Sequence, residues 1–408
     1  MQKNAGANVL LLESDFVGYG ASGRNSGYVW PNFSTYAYMM RLFGFEKTRA
    51  AYGYAAEACA YVADLVQEHG IECHYRKPGT VQAALGAAFE PAMEADLALR
   101  QRLSGAVDIE RLDADAISKK IGTQIASAGW FDPDVAFVQP ARLALGLKRV
   151  AQDLGAKIHE SSPAIFFQRK QRGVTITTPR GKIHADRVVI ATNAYTGFLK
   201  GLPELRLNKQ QYPMYVHSEI TAPLPDATWS AMGWNSAAGF LTHGPVNHFM
   251  HRTKDGRIHW GCDAFLDVPR RGARGLNFRN GYSSTMTQHL QQFFPGVTGL
   301  EGVQQWGGPV SITADGVFHL SFLKDERVLI SVGCNGNGVA TAHLNGKTAA
   351  ELINGETTER TETWFVKRRP VNWPGPLAAS AGLRILSAVI QRQTNSRIKR
   401  SNIPFDPI

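Results

Sequence analysis

Three short, nearly unbroken apolar runs constrain this chain more than any other feature: Val9-Leu10-Leu11-Leu12, Val188-Val189-Ile190-Ala191 and Val328-Leu329-Ile330-Ser331-Val332. A strand with one wet face alternates apolar and polar residues. Runs without alternation belong to a parallel sheet covered on both faces, so each is read as a buried parallel strand. The three lie far apart in the chain, so their sheet must be assembled from separated segments. Between the second and third, Tyr212 to Phe265 is β-rich, with the turn Lys254-Asp255-Gly256-Arg257 suited to a hairpin. This interleaving predicts an α/β fold, mixed α+β overall: a Rossmann-like nucleotide-binding domain built from discontinuous segments, plus a β-rich substrate domain. Helices are expected over about Thr35 to Gly70, Pro91 to Leu103, Ala141 to Leu154, Gly281 to Phe294, and from the Gly338 loop to Ile353.

Composition enters as a set of exclusions. A chain of 408 residues suits two domains, and its 44% hydrophobic and 19% charged content supports a packed core and excludes global disorder. The net charge of +10 is concentrated at the C-terminus. From Lys367 onward there are eight basic residues and one acid. The body is nearly balanced and lacks the basic face with interleaved aromatics that nucleic-acid binding requires. The segment Leu377 to Ile390 followed by bases up to Arg400 could form a basic amphipathic helix on an anionic membrane, but packing on the body is the favoured reading. Cys59, Cys73, Cys262 and Cys334 form no C-x-x-C pair, and no leader or long apolar run stands out, so a reducing cytoplasm is expected. His243, His248 and His251 lie close in sequence, yet strand alternation would send their rings to different faces, so no metal site is expected.

Gly18-Tyr19-Gly20-Ala21-Ser22-Gly23 matches G-x-G-x-x-G but is refused as the dinucleotide fingerprint. Four residues separate Glu13 from Gly18, no apolar helix follows, and the next acid is Glu46. Glu13 reads better as the acid at the end of a second strand, placed to accept both hydroxyls of an adenosine ribose, or else as a solvated strand-end acid. A fingerprint about 20 residues earlier would precede Met1. The chain is therefore expected to lack the phosphate-binding βα unit.

The stretch Ala5 to Glu13 followed by Gly18 to Gly27 resembles the early FAD-binding segment of the D-amino-acid-oxidase-like superfamily, nearest its gamma-glutamylputrescine oxidase and glycine/sarcosine oxidase-like branch. Val138 to Leu143, Val188 to Thr196, His251-Arg252-Thr253 with Gly261, Trp306-Gly307-Gly308, Thr313-Ala314-Asp315 and Gly333 to Val339 continue the resemblance in order. It implies segments 1–75, 135–210 and 300–360 in the FAD-binding domain, 76–134 and 211–299 in the substrate domain, and 361–408 as a basic tail. It also implies an FAD enzyme that takes hydride from the carbon beside a substrate amine onto flavin N5, leaving an imine that hydrolyses. The substrate would be a small amine or amino acid, and oxygen is one candidate acceptor.

Carried onto this chain, Glu13 would hold the ribose, and Ser22, Gly23, Arg24, Asn25 and Ser26 would run along the pyrophosphate and flavin. Ala164 would contact adenine, and Ala191 and Thr192 would lie below the cofactor. Gly336, Asn337, Gly338 and Val339 would turn backbone N–H groups toward the flavin carbonyls. Tyr215, His251, Arg252 and Trp306 are substrate-pocket candidates. Phe318, Asn193 and Cys334 depart from the family pattern, and Cys334 does not match the position of a covalent flavin cysteine, so FAD is expected to be non-covalent. The competing expectations are a family member that keeps the fold but holds no FAD, and a basic lipid- or nucleic-acid-binding protein.

Overall fold

The computed structural model describes residues 6–373 except 34, 106–108, 203–210, 245–246, 268–282 and 369–370, with scattered positions between 381 and 400. Most of the tail segment from Leu377 to Arg400 therefore lies outside the described residues, as does the predicted start of the Gly281 helix.

The chain begins its order with β1 (Leu10–Leu12), a short α1 (Ala21–Arg24), β2 (Tyr28–Val29) and the long α2 (Tyr36–Glu68), kinked at Gly44. Next come β3 (Thr80–Ala84), α3 (Glu90–Ser104), β4 (Glu110–Asp113), α4 (Ala114–Ile121), β5 (Ala128–Asp132) and β6 (Ala136–Phe137). α4 starts where the Asp113 carboxylate accepts the Ala116 N–H and stops at left-handed Gly122. α5 (Pro140–Asp153) starts with proline in its first turn and Gln139 accepting from the Arg142 N–H. It leads to β7 (Lys157–His159), the meander β8 (Phe166–Arg169), β9 (Val174–Thr178) and β10 (Gly181–Ala185), and then β11 (Val188–Ile190). The second half carries β12 (Gln211–Thr221), α6 (Asp226–Met232), β13 (Gly239–His243), β14 (His248–Arg252), β15 (Ile258–Asp267) and α7 (Ser283–Phe293). It ends with β16 (Gly302–Thr313), β17 (His319–Phe322), β18 (Val328–Val332) and α8 (Gly338–Ile353).

Five sheets form among the described residues, one of them the antiparallel pair β2–β6. β1 pairs in parallel with β7, and β11 pairs in parallel with β18, which also pairs with β17. One face of the β17–β18 pair packs on α2 and α8 through Phe318, Leu320, Leu329 and Leu344; the other packs on the meander through Ile330, Val332, Phe167 and Ile176. The larger sheet has eight strands in the order β16-β12-β15-β14-β13-β3-β5-β4, and one of its faces is sealed by α3, α4, α6 and α7 around Trp130, Phe240, Trp260 and Phe293. β16 is hydrogen-bonded to β12 along its length, so the segment expected as 300–360 of the nucleotide domain contributes to both sheets. β3, β4 and β5, all from 76–134, join the large sheet.

The expectation of three fully buried parallel strands holds for only one. β18 is buried, but Leu10 is 38% exposed, Leu11 43% and Val189 43%. Among the described residues β1 pairs with β7 alone and β11 with β18 alone, so each keeps one uncovered edge.

Arg100 of α3 and Asp132 of β5 form a buried ion pair at 3.1 Å, and the Arg100 guanidinium also lies 4.7 Å from the Tyr52 ring of α2. The pair thus ties the large sheet to the long helix. Asp132→Ala strands a buried cation and should cost about 3–5 kcal/mol, whereas the joint replacement Arg100→Met with Asp132→Leu should restore most of that loss. Urea unfolding of the three proteins measures both.

Candidate active site

In open α/β sheets, ligands bind beyond the carboxyl ends of the parallel strands. Here those ends converge. Glu13 ends β1, and its carboxylate accepts the Asp15 N–H at 3.0 Å and the Ser14 hydroxyl at 3.1 Å. The loop after β11 brings Tyr195 against Gly20, where an added Cβ would meet the ring at 3.5 Å. Burial raises the Tyr195 pKa, with Arg24, Tyr19 and Glu13 the charged and polar groups acting on it. Its hydroxyl is buried and has no hydrogen-bond partner among the described residues. A buried hydroxyl without a partner is costly, and here it lies among the Glu13 and Arg24 loops, where a dinucleotide's polar groups would satisfy it.

The loop carrying Ser22 to Ser26 is held tightly. An added Cβ on Gly23 would lie 2.2 Å from the Gly18 carbonyl oxygen, so only glycine fits. Arg24 packs over the Tyr19 ring at 4.5 Å and donates to the Gly307 carbonyl at 3.1 Å, while Trp306 Nε1 donates back to the Arg24 carbonyl at 2.8 Å. Asn25 closes the turn, with its Nδ2 donating to the Ala21 and Ser22 carbonyls and its Oδ1 accepting from the Gly27 N–H.

Two asparagines in the left-handed region organise the loops after β11 and β18. Asn193 (φ 41°) accepts the Gly333 N–H at 2.9 Å and donates to Cys334 Sγ at 3.1 Å. Asn335 (φ 51°) accepts from both the N–H and the hydroxyl of Thr313. Asn337 accepts from Asn32 Nδ2 and donates to the Asn335 carbonyl, and α8 starts after it with no side-chain cap. The first N–H groups of α8 are thus left to whatever lies in front of Gly336 to Val339.

The pleat decides which substrate candidates meet. A Cβ on Gly308 would touch Arg24, and one on Gly307 would touch His217, so alternate residues of β16 face the Arg24 loop and the helix-covered core. Trp306 shares the Arg24 face, its ring stacked on His259 at 5.2 Å and 16°. His259 sits opposite His251 in the β14–β15 register. His251 Nε2 donates to the Ser26 carbonyl at 3.0 Å, and Nδ1 accepts from Arg76 at 3.3 Å. Arg252 and Tyr215 do not join them. Arg252 lies over Trp229 at 4.3 Å in the core, and Tyr215 pairs with Pro309, on the same side of the sheet as His217. The expectation that all four face one pocket fails because adjacent strand residues point to opposite faces.

Of the other expected residues, Ala164 packs beside the meander core, and Ala191 and Thr192 are exposed at the end of β11. The three histidines of the β-rich segment go separate ways: His243 to Gln82, His248 to His289 and His251 to Ser26. No group of three metal-ligating side chains occurs among the described residues. Sequence reasoning missed His259, Arg76 and the Tyr195 hydroxyl. Alternation around His251 and His259 in a hairpin could have paired the histidines; nothing local signals Arg76.

This chain matches the DAO family, described as FAD dependent oxidoreductase, over residues 2–352. The chain belongs to the DAO family of FAD-dependent oxidoreductases. Among curated relatives of this DAO chain, it is 22% identical over 352 residues to the probable oxidoreductase OrdL of Haemophilus influenzae, covering 86% of this chain and 78% of that protein. It is 25% identical to the gamma-glutamylputrescine oxidoreductase of Escherichia coli, covering 86% and 79%. Among solved structures, the glycine oxidase from Geobacillus kaustophilus superposes with a TM-score of 0.73 at 18% identity, covering 89% of this DAO chain and 92% of that one, which shows a shared fold. FAD is the cofactor of the family, and the Tyr195 hydroxyl beside the Glu13 and Arg24 loops, partnerless among the described residues, fits a polar cofactor together with the uncapped start of α8. Among the described residues no helix is long and apolar enough to cross a membrane.

Burial and the Arg76 guanidinium hold the His251 pKa down to about 4. The folded protein therefore keeps this ring neutral, while the unfolded chain takes up a proton as pH falls through about 6.5. Stability contributed by His251 is complete above pH 6.5 and is lost toward pH 4, on the order of 3 kcal/mol. Urea unfolding at pH 7 and pH 4.5 should show a smaller acid loss in His251→Gln than in the native chain; His259, whose pKa is also lowered by burial, keeps its own share.

Proposed function

We propose that this flavoenzyme oxidises the C–N bond of a small amine or amino acid, with FAD held non-covalently in the crevice between the parallel strand ends and the large sheet. The observation that carries the reading is the junction at Arg24, where one loop touches both the strand-end crevice and the Trp306–His259–His251 face. Relatives named gamma-glutamylputrescine oxidoreductase and glycine oxidase point to the same substrate class. When bound, FAD accepts the hydride from the carbon bearing the amine, leaving an imine that water hydrolyses.

The chain's own residues bind, orient and desolvate. Glu13 is assigned to the adenosine ribose, Ser22 to Ser26 with Arg24 to the pyrophosphate and flavin edge, Ala164 to adenine, and Ala191 and Thr192 to the floor. The uncapped start of α8, Gly336 to Val339, is assigned to the electron-poor ring's carbonyls, where its N–H groups stabilise negative charge. On the substrate side, the buried His251 and His259 with the half-buried Trp306 form an aromatic face whose imidazoles stay neutral. Arg24 and Arg76 are the nearby cations. Such a face disfavours an ammonium and favours the uncharged amine, whose lone pair assists departure of the hydride, so no side-chain base is required. Tyr215 and Arg252, turned toward the helix-covered core, are not assigned to this face.

A second reading, a family member that keeps the fold without holding flavin, draws on the exposed Leu10, Leu11 and Val189. One titration separates the two. Incubated with FAD and desalted, the folded chain should retain yellow absorbance that bleaches anaerobically with a member of an amine and amino-acid panel; a folded but colourless protein would support the second reading. Gly23→Ala, which drives a methyl into the Gly18 carbonyl, should lower FAD affinity at least tenfold, measured by flavin fluorescence quenching.

A further inference from the structure

His251 lies between two backbone carbonyls. Its Nε2 is 3.0 Å from the Ser26 oxygen, and its Nδ1 is 3.2 Å from the Arg252 oxygen. A carbonyl oxygen only accepts, so this cradle by itself suits an imidazolium, which donates from both nitrogens. The ring is nevertheless neutral: burial and Arg76 hold its pKa down to about 4, against the pull of both carbonyls. A donor other than a ring proton must therefore stand between Nδ1 and the Arg252 oxygen, and Arg76 supplies it. Its Nη2 donates to the Arg252 carbonyl and also to His251 Nδ1 at 3.3 Å. A guanidinium has donors alone, so Nδ1 is bare and the one ring proton sits on Nε2, facing the Ser26 oxygen.

Arg76 is itself held in place. Its backbone exchanges both hydrogen bonds with Phe137 of β6, its Nη1 donates to the Ala237 carbonyl at 3.0 Å, and its guanidinium lies over the Phe137 ring at 4.8 Å. Burial lowers its pKa to about 10, which leaves it charged at neutral pH. The same Phe137 ring lies 4.6 Å from His251. Tyr28 of β2 stands edge-on at 5.8 Å with its hydroxyl on the Met250 carbonyl, and His259 of β15 places its Nδ1 3.2 Å from Nε2. Arg252, next in sequence, carries its charge away over Trp229. Among the described residues Arg76 is thus the one cation bonded to the ring.

We propose that Arg76 is a positioning residue for this site: its guanidinium stands in for the Nδ1 proton, which keeps His251 the neutral Nε2–H tautomer and fixes the donor to the Ser26 carbonyl on the loop assigned to FAD. The link to FAD rests on the function proposed above; the tautomer does not. Nitrogen NMR of the isotope-labelled full chain incubated with FAD, with His251→Gln to assign the signal, reads the tautomer directly. At about pH 5.5 the native ring should show a protonated Nε2 and a bare Nδ1. In Arg76→Met the two carbonyls face a ring with nothing at Nδ1, so both nitrogens should be protonated and the proton affinity of His251 should rise about a hundredfold. By flavin fluorescence quenching, Arg76→Met should change FAD affinity about tenfold in the native chain and less than about twofold in the His251→Gln chain. A neutral Nε2–H ring in Arg76→Met, no change in FAD affinity, or an equal change in both backgrounds would each overturn the proposal. If Arg76→Met fails to fold, the native ring decides: an Nδ1–H or doubly protonated ring there overturns it. A chain that takes up no flavin sinks the functional reading instead, and the tautomer alone then decides the role of Arg76.

Discussion

The structure depends on a reciprocal backbone clasp between the Arg24 loop and the outer strand of the large sheet. Arg24 donates to the Gly307 carbonyl, Trp306 donates to the Arg24 carbonyl, and His251 donates to the Ser26 carbonyl two residues further on. Each bond uses a main-chain acceptor, so the clasp constrains the path of the loop as well as its side chains. Because Gly23 packs directly on Gly18, the loop cannot move away without breaking its own turn. The clasp therefore fixes the Arg24 loop, which follows β1, against the large sheet.

Across the crevice, the second constraint is a polar lattice built from loops rather than from regular elements. Asn193 links the end of β11 to Gly333 and Cys334; Asn335 links that loop to Thr313 at the end of β16; and Gln211 Nε2 donates to the Asn193 carbonyl from the start of β12. Both asparagines adopt positive φ, which their short side chains tolerate better than most. Among the described residues the lattice leaves the Tyr195 hydroxyl without a partner and α8 without a side-chain cap, which is the expected arrangement where a polar cofactor completes the set.

Much of this was legible locally. The strands ending at Glu13 and at Ala191, the helix after Pro140, and the Lys254–Arg257 turn joining β14 to β15 follow from periodicity and turn chemistry, and the order of family motifs pointed to the flavin fold. β3, β4 and β5 were not foreseen. They are short and lie between helical stretches, and their pairing with β13 is decided by contacts far away in sequence. The site residues were legible as a set but not as a geometry. His251 and Arg252 are neighbours in sequence, and the pleat places them on opposite faces, a matter of register that depends on β15 and β16.

By itself the sequence determined the family, the cofactor class and the segments that must come together, because glycine spacing, strand-end acids and apolar runs are local properties. Only the tertiary structure decided which side chains share the crevice and which parallel strands are covered. It paired Trp306 with His259, turned Tyr215 and Arg252 toward the core, and left Leu10 and Val189 exposed. Register and burial are set by pairing between distant strands, and no local pattern in the chain encodes which neighbour a strand will meet.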